Sequence, residues 1–149
     1  MLKVFVYGTL LEGEGNHGVI ADMVDDIQPA TLPGHDLHFY GTPTSFPYIR
    51  EANDDAIVIG EVFYFADADA DAALHRLDSL ESHPRFYERK ETVVDVNGVE
   101  ETVFVYTMPE HRQRDGGQVF MNNFRRRFGG ETSQGSLRRR KENERKATV

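Results

Sequence analysis

Apolar and polar positions alternate over residues 2–7, with Leu2, Val4 and Val6 set against Lys3, Phe5 and Tyr7, the period of two that a pleated strand imposes. Gly8-Thr9 ends the pattern abruptly, so the strand runs into a loop. Gly13, Gly15, Asn16 and Gly18 defer further regularity, after which Val19, Ile20, Met23, Val24 and Ile27 follow a helical spacing and predict a short helix ending before Pro29. Residues 30–32 and 36–40 read as short strands on either side of the Pro33-Gly34 turn, and a loop with Pro43 and Pro47 follows. Residues 57–65 are β-branched and aromatic on both faces, which predicts a central strand. From Asp69 to Glu81 the positions Ala70, Ala73, Leu74, Leu77 and Leu80 follow helical spacing, and aspartates at 67, 69 and 71 suit a helix N-terminus. Residues 86–96 and 103–107 read as strands joined through an Asn97-Gly98 hairpin. Val119, Phe120, Phe124 and Phe128 predict one amphipathic helix, and the polar stretch from Gly129 onward reads as disordered. The order strand, helix, strands, helix, hairpin is α+β rather than repeated βαβ, with antiparallel pairing expected around the last hairpin.

A chain of 149 residues fits one domain, which we place at residues 1–110, followed by a basic C-terminal extension at 111–149. The charge divides the same way. Residues 1–110 carry 6 Lys and Arg against 21 Asp and Glu, whereas 111–149 carry 11 against 4. An acidic body repels phosphate backbones, so nucleic acid or an acidic partner is expected only through the tail, at Arg125-Arg126-Arg127 and at residues 138–141. With 0 cysteines, disulfide scaffolds, thiolate catalysis and Cys-ligated metal sites are excluded. No apolar run approaches the roughly 20 residues of a membrane-spanning helix, and the chain opens directly in a strand pattern, so a cytoplasmic protein is expected. The six histidines include no His-Glu-x-x-His spacing, and His35 and His38 face opposite sides of their strand; no metal site is expected. Phosphate-binding glycine motifs and a Gly-x-Ser-x-Gly nucleophile elbow are absent too.

Two carboxylates stand out against the apolar pattern. Glu81 lies four residues after Leu77 and seven after Leu74, on the apolar stripe of its helix. A carboxyl held against apolar neighbours has its ionised form disfavoured and can exchange a proton near neutrality, which makes it a general acid/base candidate. The competing reading turns Glu81 outward at the helix end or pairs it with Arg85 or Arg89. Glu61 shares a strand face with Ile59, Phe63 and Phe65 and is the second candidate, with capture of a backbone amide as its structural alternative. Gly8-Thr9, directly after a strand, offers backbone N–H groups and a hydroxyl that could cradle a carboxylate or oxyanion, although most such pairs are turns.

Three segments, in order, resemble the gamma-glutamylcyclotransferase-like (AIG2-like) family, which includes gamma-glutamylamine cyclotransferase. They are Val4-Phe-Val-Tyr-Gly-Thr-Leu-Leu11 with Gly13 and Asn16-His17, then Gly60-Glu-Val-Phe-Tyr64, then Leu77-Asp-Ser-Leu-Glu-Ser-His-Pro-Arg-Phe-Tyr-Glu-Arg89. The likeness covers residues 2–107; residues 108–149 fall outside it, and Ser82 stands where many relatives have Gly. The resemblance implies a small mixed β-barrel with flanking helices. It also implies a cofactor-independent enzyme whose small-molecule γ-glutamyl substrate cyclises to 5-oxoproline, its α-amine displacing an amine or amino acid from its own γ-carbonyl. Carried over by position, Glu81 would be the catalytic acid/base, Tyr7, Gly8, Thr9 and Leu10 would bind substrate, and Tyr87 would border the pocket. Two other classes stay open: a non-catalytic binding or regulatory module of the same fold, and binding of nucleic acid or an acidic partner through the basic tail.

Overall fold

A computed structural model of the chain describes residues 1–40, 47–114, 123 and 124. The strands are β1 (Leu2–Val6), β2 (Asp26–Pro33), β3 (His35–Phe39), β4 (Pro47–Glu51), β5 (Ile57–Phe65), β6 (Glu88–Val96) and β7 (Val99–Thr107), with α1 (Ala70–Glu81) between β5 and β6. Five strands close into a barrel in the order β1-β5-β2-β6-β7, and β3 pairs with β4 as a separate two-stranded sheet. The fold is α+β, a mixed barrel flanked by α1 and short 3-10 turns.

β5 is central, as its apolar faces predict. It pairs antiparallel with β1, Val4 opposite Phe63, and antiparallel with β2, Ile27 opposite Phe63. The barrel closes through a parallel contact of β1 with β7, Val4 opposite Phe104 and Phe5 opposite Val105. Because β1 and β7 run the same way, the loop after β1 and the end of β7 lie at one end of the barrel. β6 is antiparallel to β7, so its first residues arrive at that end as well, bringing the C-terminus of α1 with them. The site described below sits there.

Val4, Val58, Val62, Phe63 and Phe65 are fully buried, on both faces of their strands, and Ala73 and Leu77 bury one stripe of α1. Gly60 is required by close approach: a Cβ there would lie 2.2 Å from the Val6 carbonyl oxygen and 2.7 Å from Phe5 Cζ. Its bareness lets the Phe5 ring fill the barrel. At the β6–β7 turn, Asn97 and Gly98 both take positive φ (54° and 84°), the left-handed backbone that a two-residue hairpin needs.

The helix expected over residues 19–27 is not formed. His17–Val19 make a 3-10 turn, and Ile27 belongs to β2, where it pairs with Phe63. The periodic stretch spans little more than two turns, below the length at which spacing alone sustains a helix, and β5 offers the backbone a full ladder instead. The expected strand at 30–32 therefore starts earlier, at Asp26, and the one expected at 86–96 starts at Glu88. The strand expected at 103–107 begins at Val99, directly after the turn. The helix expected from Val119 to Phe128 and the tail to residue 149 lie outside the described residues, apart from Asn123 and Phe124. Asn123 bridges Ile59 of β5, and Phe124 is buried with its ring stacked on Phe39 at 6.0 Å. Chain beyond residue 110 thus contributes to the core.

Candidate active site

At the end of the barrel where β1, β7 and α1 converge lies a cavity of about 680 Å³. Tyr7, Gly8, Thr9 and Leu10 line it from the loop after β1, while Leu80 and Glu81 line it from the last turn of α1. Phe86 and Tyr87, which lead into β6, Tyr106 of β7, Asn16 and Pro47 line it as well. The cavity brings together Glu81 and Gly8-Thr9, which stand out by their local pattern, with Tyr7, Leu10 and Tyr87, which the family resemblance supplied; Glu61, the second carboxylate candidate, is not among its lining residues. Asn16, Pro47, Leu80, Phe86 and Tyr106 join them from positions whose local pattern carries no chemical signal; Asn16, Leu80 and Phe86 lay within the recognised segments, Pro47 and Tyr106 outside them.

Glu81 is the last residue of α1 and continues the stripe of Ala73 and Leu77 over the cavity. Ser82 ends the helix in the left-handed conformation, φ 54° and ψ 44°, with the N–H of His83 donating to Asp78 O (2.9 Å) and that of Ser82 to Ser79 O (3.3 Å). The N–H groups of Arg85 and Phe86 then bond Ser82 O, and that of Tyr87 bonds Glu81 O, so the connection folds back beneath the carboxyl. His83–Pro84 within it is a cis peptide. Removal from water holds the Glu81 carboxyl up at about 7, against an ordinary 4.5. Among the described residues it has no hydrogen-bond or ion-pair partner; Arg89 pairs instead with Asp78.

The facing loop is braced from behind. Leu11 N donates to Gly8 O (3.1 Å), Asn16 N to Thr9 O (2.8 Å) and His17 Nδ1 to Leu10 O (3.0 Å). Asn16 Nδ2 also holds the Thr9 hydroxyl at 2.8 Å. These bonds consume the carbonyls of residues 8–10, and among the described residues no acceptor takes the three N–H groups. Gly8 is needed for proximity rather than rotation, since a Cβ there would meet Pro47 Cγ at 2.7 Å.

The tyrosines are walls with their hydroxyls engaged. Tyr7 donates to Tyr106 O (2.8 Å) and Tyr87 to Pro47 O (2.5 Å). Burial raises the phenol of each well above its usual range, with the neighbouring Glu81 charge adding to the effect, so both stay protonated. Glu61 is buried but does not line the cavity; its Oε1 accepts the Glu12 N–H at 2.9 Å, which ties the loop after β1 to β5. Among the described residues there is no cluster of three or more His, Cys, Asp or Glu placed to hold a metal, and no helix is long and apolar enough to cross a membrane.

Comparison with known proteins points the same way. A provisionally named gamma-glutamylcyclotransferase of Methanocaldococcus jannaschii is 31% identical over 112 residues, 74% of this chain and 87% of that protein. The crystal structure of a mouse AIG2-like protein superposes with a TM-score of 0.58 at 22% identity, covering 81% of this chain and 99% of the mouse one. YkqA of Bacillus subtilis superposes with a TM-score of 0.57 at 23% identity, over 72% of this chain and only 36% of YkqA, so the present chain matches about a third of that larger protein. At these identities the two structures speak for the fold. The profile of the gamma-glutamyl cyclotransferase, AIG2-like family matches residues 4–126, which runs past the last barrel strand and takes in Phe124. On the family match and the archaeal relative together, the chain belongs to the gamma-glutamyl cyclotransferase, AIG2-like family.

Proposed function

We propose that this protein is a cyclotransferase that converts small γ-glutamyl compounds into 5-oxoproline and a free amine or amino acid, with Glu81 as general acid/base. One observation carries the reading: a carboxyl held at about 7, with no partner among the described residues, shares a cavity with three backbone amides that no described acceptor takes.

The chemistry requires little else. The substrate α-nitrogen forms a bond to its own γ-carbonyl carbon, the γ C–N bond breaks, and the amine departs. Glu81 takes a proton from the α-ammonium, which frees the attacking lone pair, and returns one to the departing nitrogen as the tetrahedral centre collapses; the ring nitrogen gives its second proton to solvent, from which the freed amine takes one up. A proton affinity near neutrality suits both transfers, because an ordinary carboxyl would be too weak a base and a fully protonated one no base at all. The N–H groups of Gly8, Thr9 and Leu10 would stabilise negative charge, either the substrate carboxylate or the developing oxyanion. The aromatic walls Phe86 and Tyr87 exclude water and hold the glutamyl chain curled, with nucleophile and carbonyl in contact. No cofactor enters the reaction.

The test is incubation of the purified protein with a panel of γ-glutamyl amines and γ-glutamyl amino acids, assayed for 5-oxoproline. Release from at least one substrate supports the reading. No product from any of them, with the fold intact by circular dichroism, would turn the protein into a binding module of this fold.

A further inference from the structure

The last turn of α1 is fastened to the barrel by a carboxylate that the proposed chemistry leaves unused. Asp78 precedes Glu81 by three residues, so the two side chains leave neighbouring positions on the helix surface. Arg89 Nη1 donates to both Asp78 oxygens, at 2.6 and 2.5 Å, and the Tyr106 hydroxyl donates to Oδ1 at 2.5 Å. Arg89 and Tyr106 are a cross-strand pair on β6 and β7, so one carboxylate grips both strands of the hairpin. The guanidinium lies over the Phe104 ring, 5.4 Å from its centre, and the Arg89 N–H donates to His83 Nδ1 at 3.0 Å. Burial pulls Asp78 upward, but the Tyr106 hydroxyl and Arg89 outweigh it and hold the carboxyl below its usual value, so it is charged throughout the neutral range.

This network reaches the site at both ends. On one side it continues along α1 to Glu81. On the other, Tyr106 uses its carbonyl to take the Tyr7 hydroxyl, one residue before Gly8. The helix end needs such a tie, because the residue that caps it, Ser82, is not the glycine that best adopts a left-handed cap.

We propose that Asp78, Arg89 and Tyr106 act together as a positioning clamp, which fixes Glu81 relative to the amides of Gly8, Thr9 and Leu10. The inference rests on the cyclotransferase reading for its kinetic consequence, and on geometry alone for the placement of Glu81. A misplacement of the proton carrier by a fraction of an ångström impairs the transfer steps while leaving the walls that capture substrate in place, so the clamp acts on kcat and not on KM.

The experiment compares the wild type with Asp78→Ala, Tyr106→Phe and Arg89→Lys. Steady-state kinetics use whichever γ-glutamyl compound the wild type turns over, and the Glu81 carboxyl is titrated by carbon-13 NMR in each protein. Expected for Asp78→Ala is a fall in kcat of about 10- to 100-fold with KM within about threefold of wild type, together with a Glu81 titration displaced toward that of an ordinary carboxyl. Tyr106→Phe, which loses one hydroxyl and keeps the carbonyl that Tyr7 uses, should lose about three- to tenfold. Arg89→Lys, with the charge kept but the fork gone, should fall between wild type and Asp78→Ala. Should Asp78→Ala not fold, Tyr106→Phe carries the test. Folded variants with kcat within twofold of wild type and an unmoved Glu81 titration would overturn the clamp, even with a lowered melting temperature. A wild type without turnover would overturn the cyclotransferase reading, and the Glu81 titration would then decide the clamp by itself.

Discussion

Glu81 weakens the fold in the ionised form from which the proposed proton transfers begin. Its carboxyl titrates near 7 in the folded protein and near 4.5 when exposed, so the folded state holds the proton more tightly. The stability contributed by the protonated carboxyl is complete below about pH 4.5 and is lost as the pH rises through 7, where the buried charge costs up to about 3 kcal/mol. Glu81→Gln removes that charge without changing shape. It should therefore melt above the wild type at pH 8 and close to it at pH 4.5, a comparison that thermal denaturation at the two pH values makes directly. Under the proposed chemistry the same titration sets the acid side of the rate profile. kcat/KM should fall tenfold per unit below about pH 7, rather than below the 4 to 5 of an ordinary carboxyl. At this scale the sequence is unusually informative, because a carboxylate on the apolar stripe of a helix contradicts its surroundings. Glu61 contradicts its strand in the same way and turns out to hold the Glu12 amide, so the signal marks burial and leaves the role to be decided by partners. Tyr106, by contrast, reads as an ordinary strand aromatic, and only the barrel closure brings it to the site.

At the scale of elements, the helix end and the barrel strands respond oppositely to small changes at two positions. Ser82 caps α1 with φ 54°, a conformation that glycine adopts without strain. Ser82→Gly should stabilise the fold by about 1 kcal/mol, read from urea denaturation, and a loss of stability would show that the Ser82 side chain has a contact of its own. Gly60→Ala should do the reverse, because its Cβ would be driven to 2.2 Å from the Val6 carbonyl oxygen and against the Phe5 ring. A destabilisation of at least about 3 kcal/mol is expected, as for severe overpacking of a core. Long or strongly patterned elements are legible in the sequence, as β5, α1 and the Asn97-Gly98 hairpin attest. The stretch from Val19 to Ile27 is not, since apolar residues at helical spacing also suit a turn followed by a strand when a neighbouring strand is available to pair with. That pairing, Ile27 to Phe63, spans a separation that no local pattern records.

For the molecule as a whole, closure decides where function can sit. The parallel seam between β1 and β7 gathers the loop after β1, the end of β7 and the end of α1 at one end of the barrel, although they are far apart in the chain. Hydrophobic period reveals the strands; the order in which they close depends on long-range contacts, and here it was the family resemblance that supplied the barrel. The boundary at residue 110 suggested by charge and pattern leaves out a core residue. Phe124, 2% exposed and stacked on Phe39, should cost about 3–5 kcal/mol when replaced by Ala, measured by thermal or denaturant unfolding. The proposed reaction stands on Glu81, and its most direct measurement is 5-oxoproline release by Glu81→Gln beside the wild type, on a γ-glutamyl substrate that the wild type turns over. The expected result is a folded variant whose rate is lower by at least about 1,000-fold. A folded Glu81→Gln that keeps a rate within tenfold of wild type would contradict it and place the proton transfers on another group.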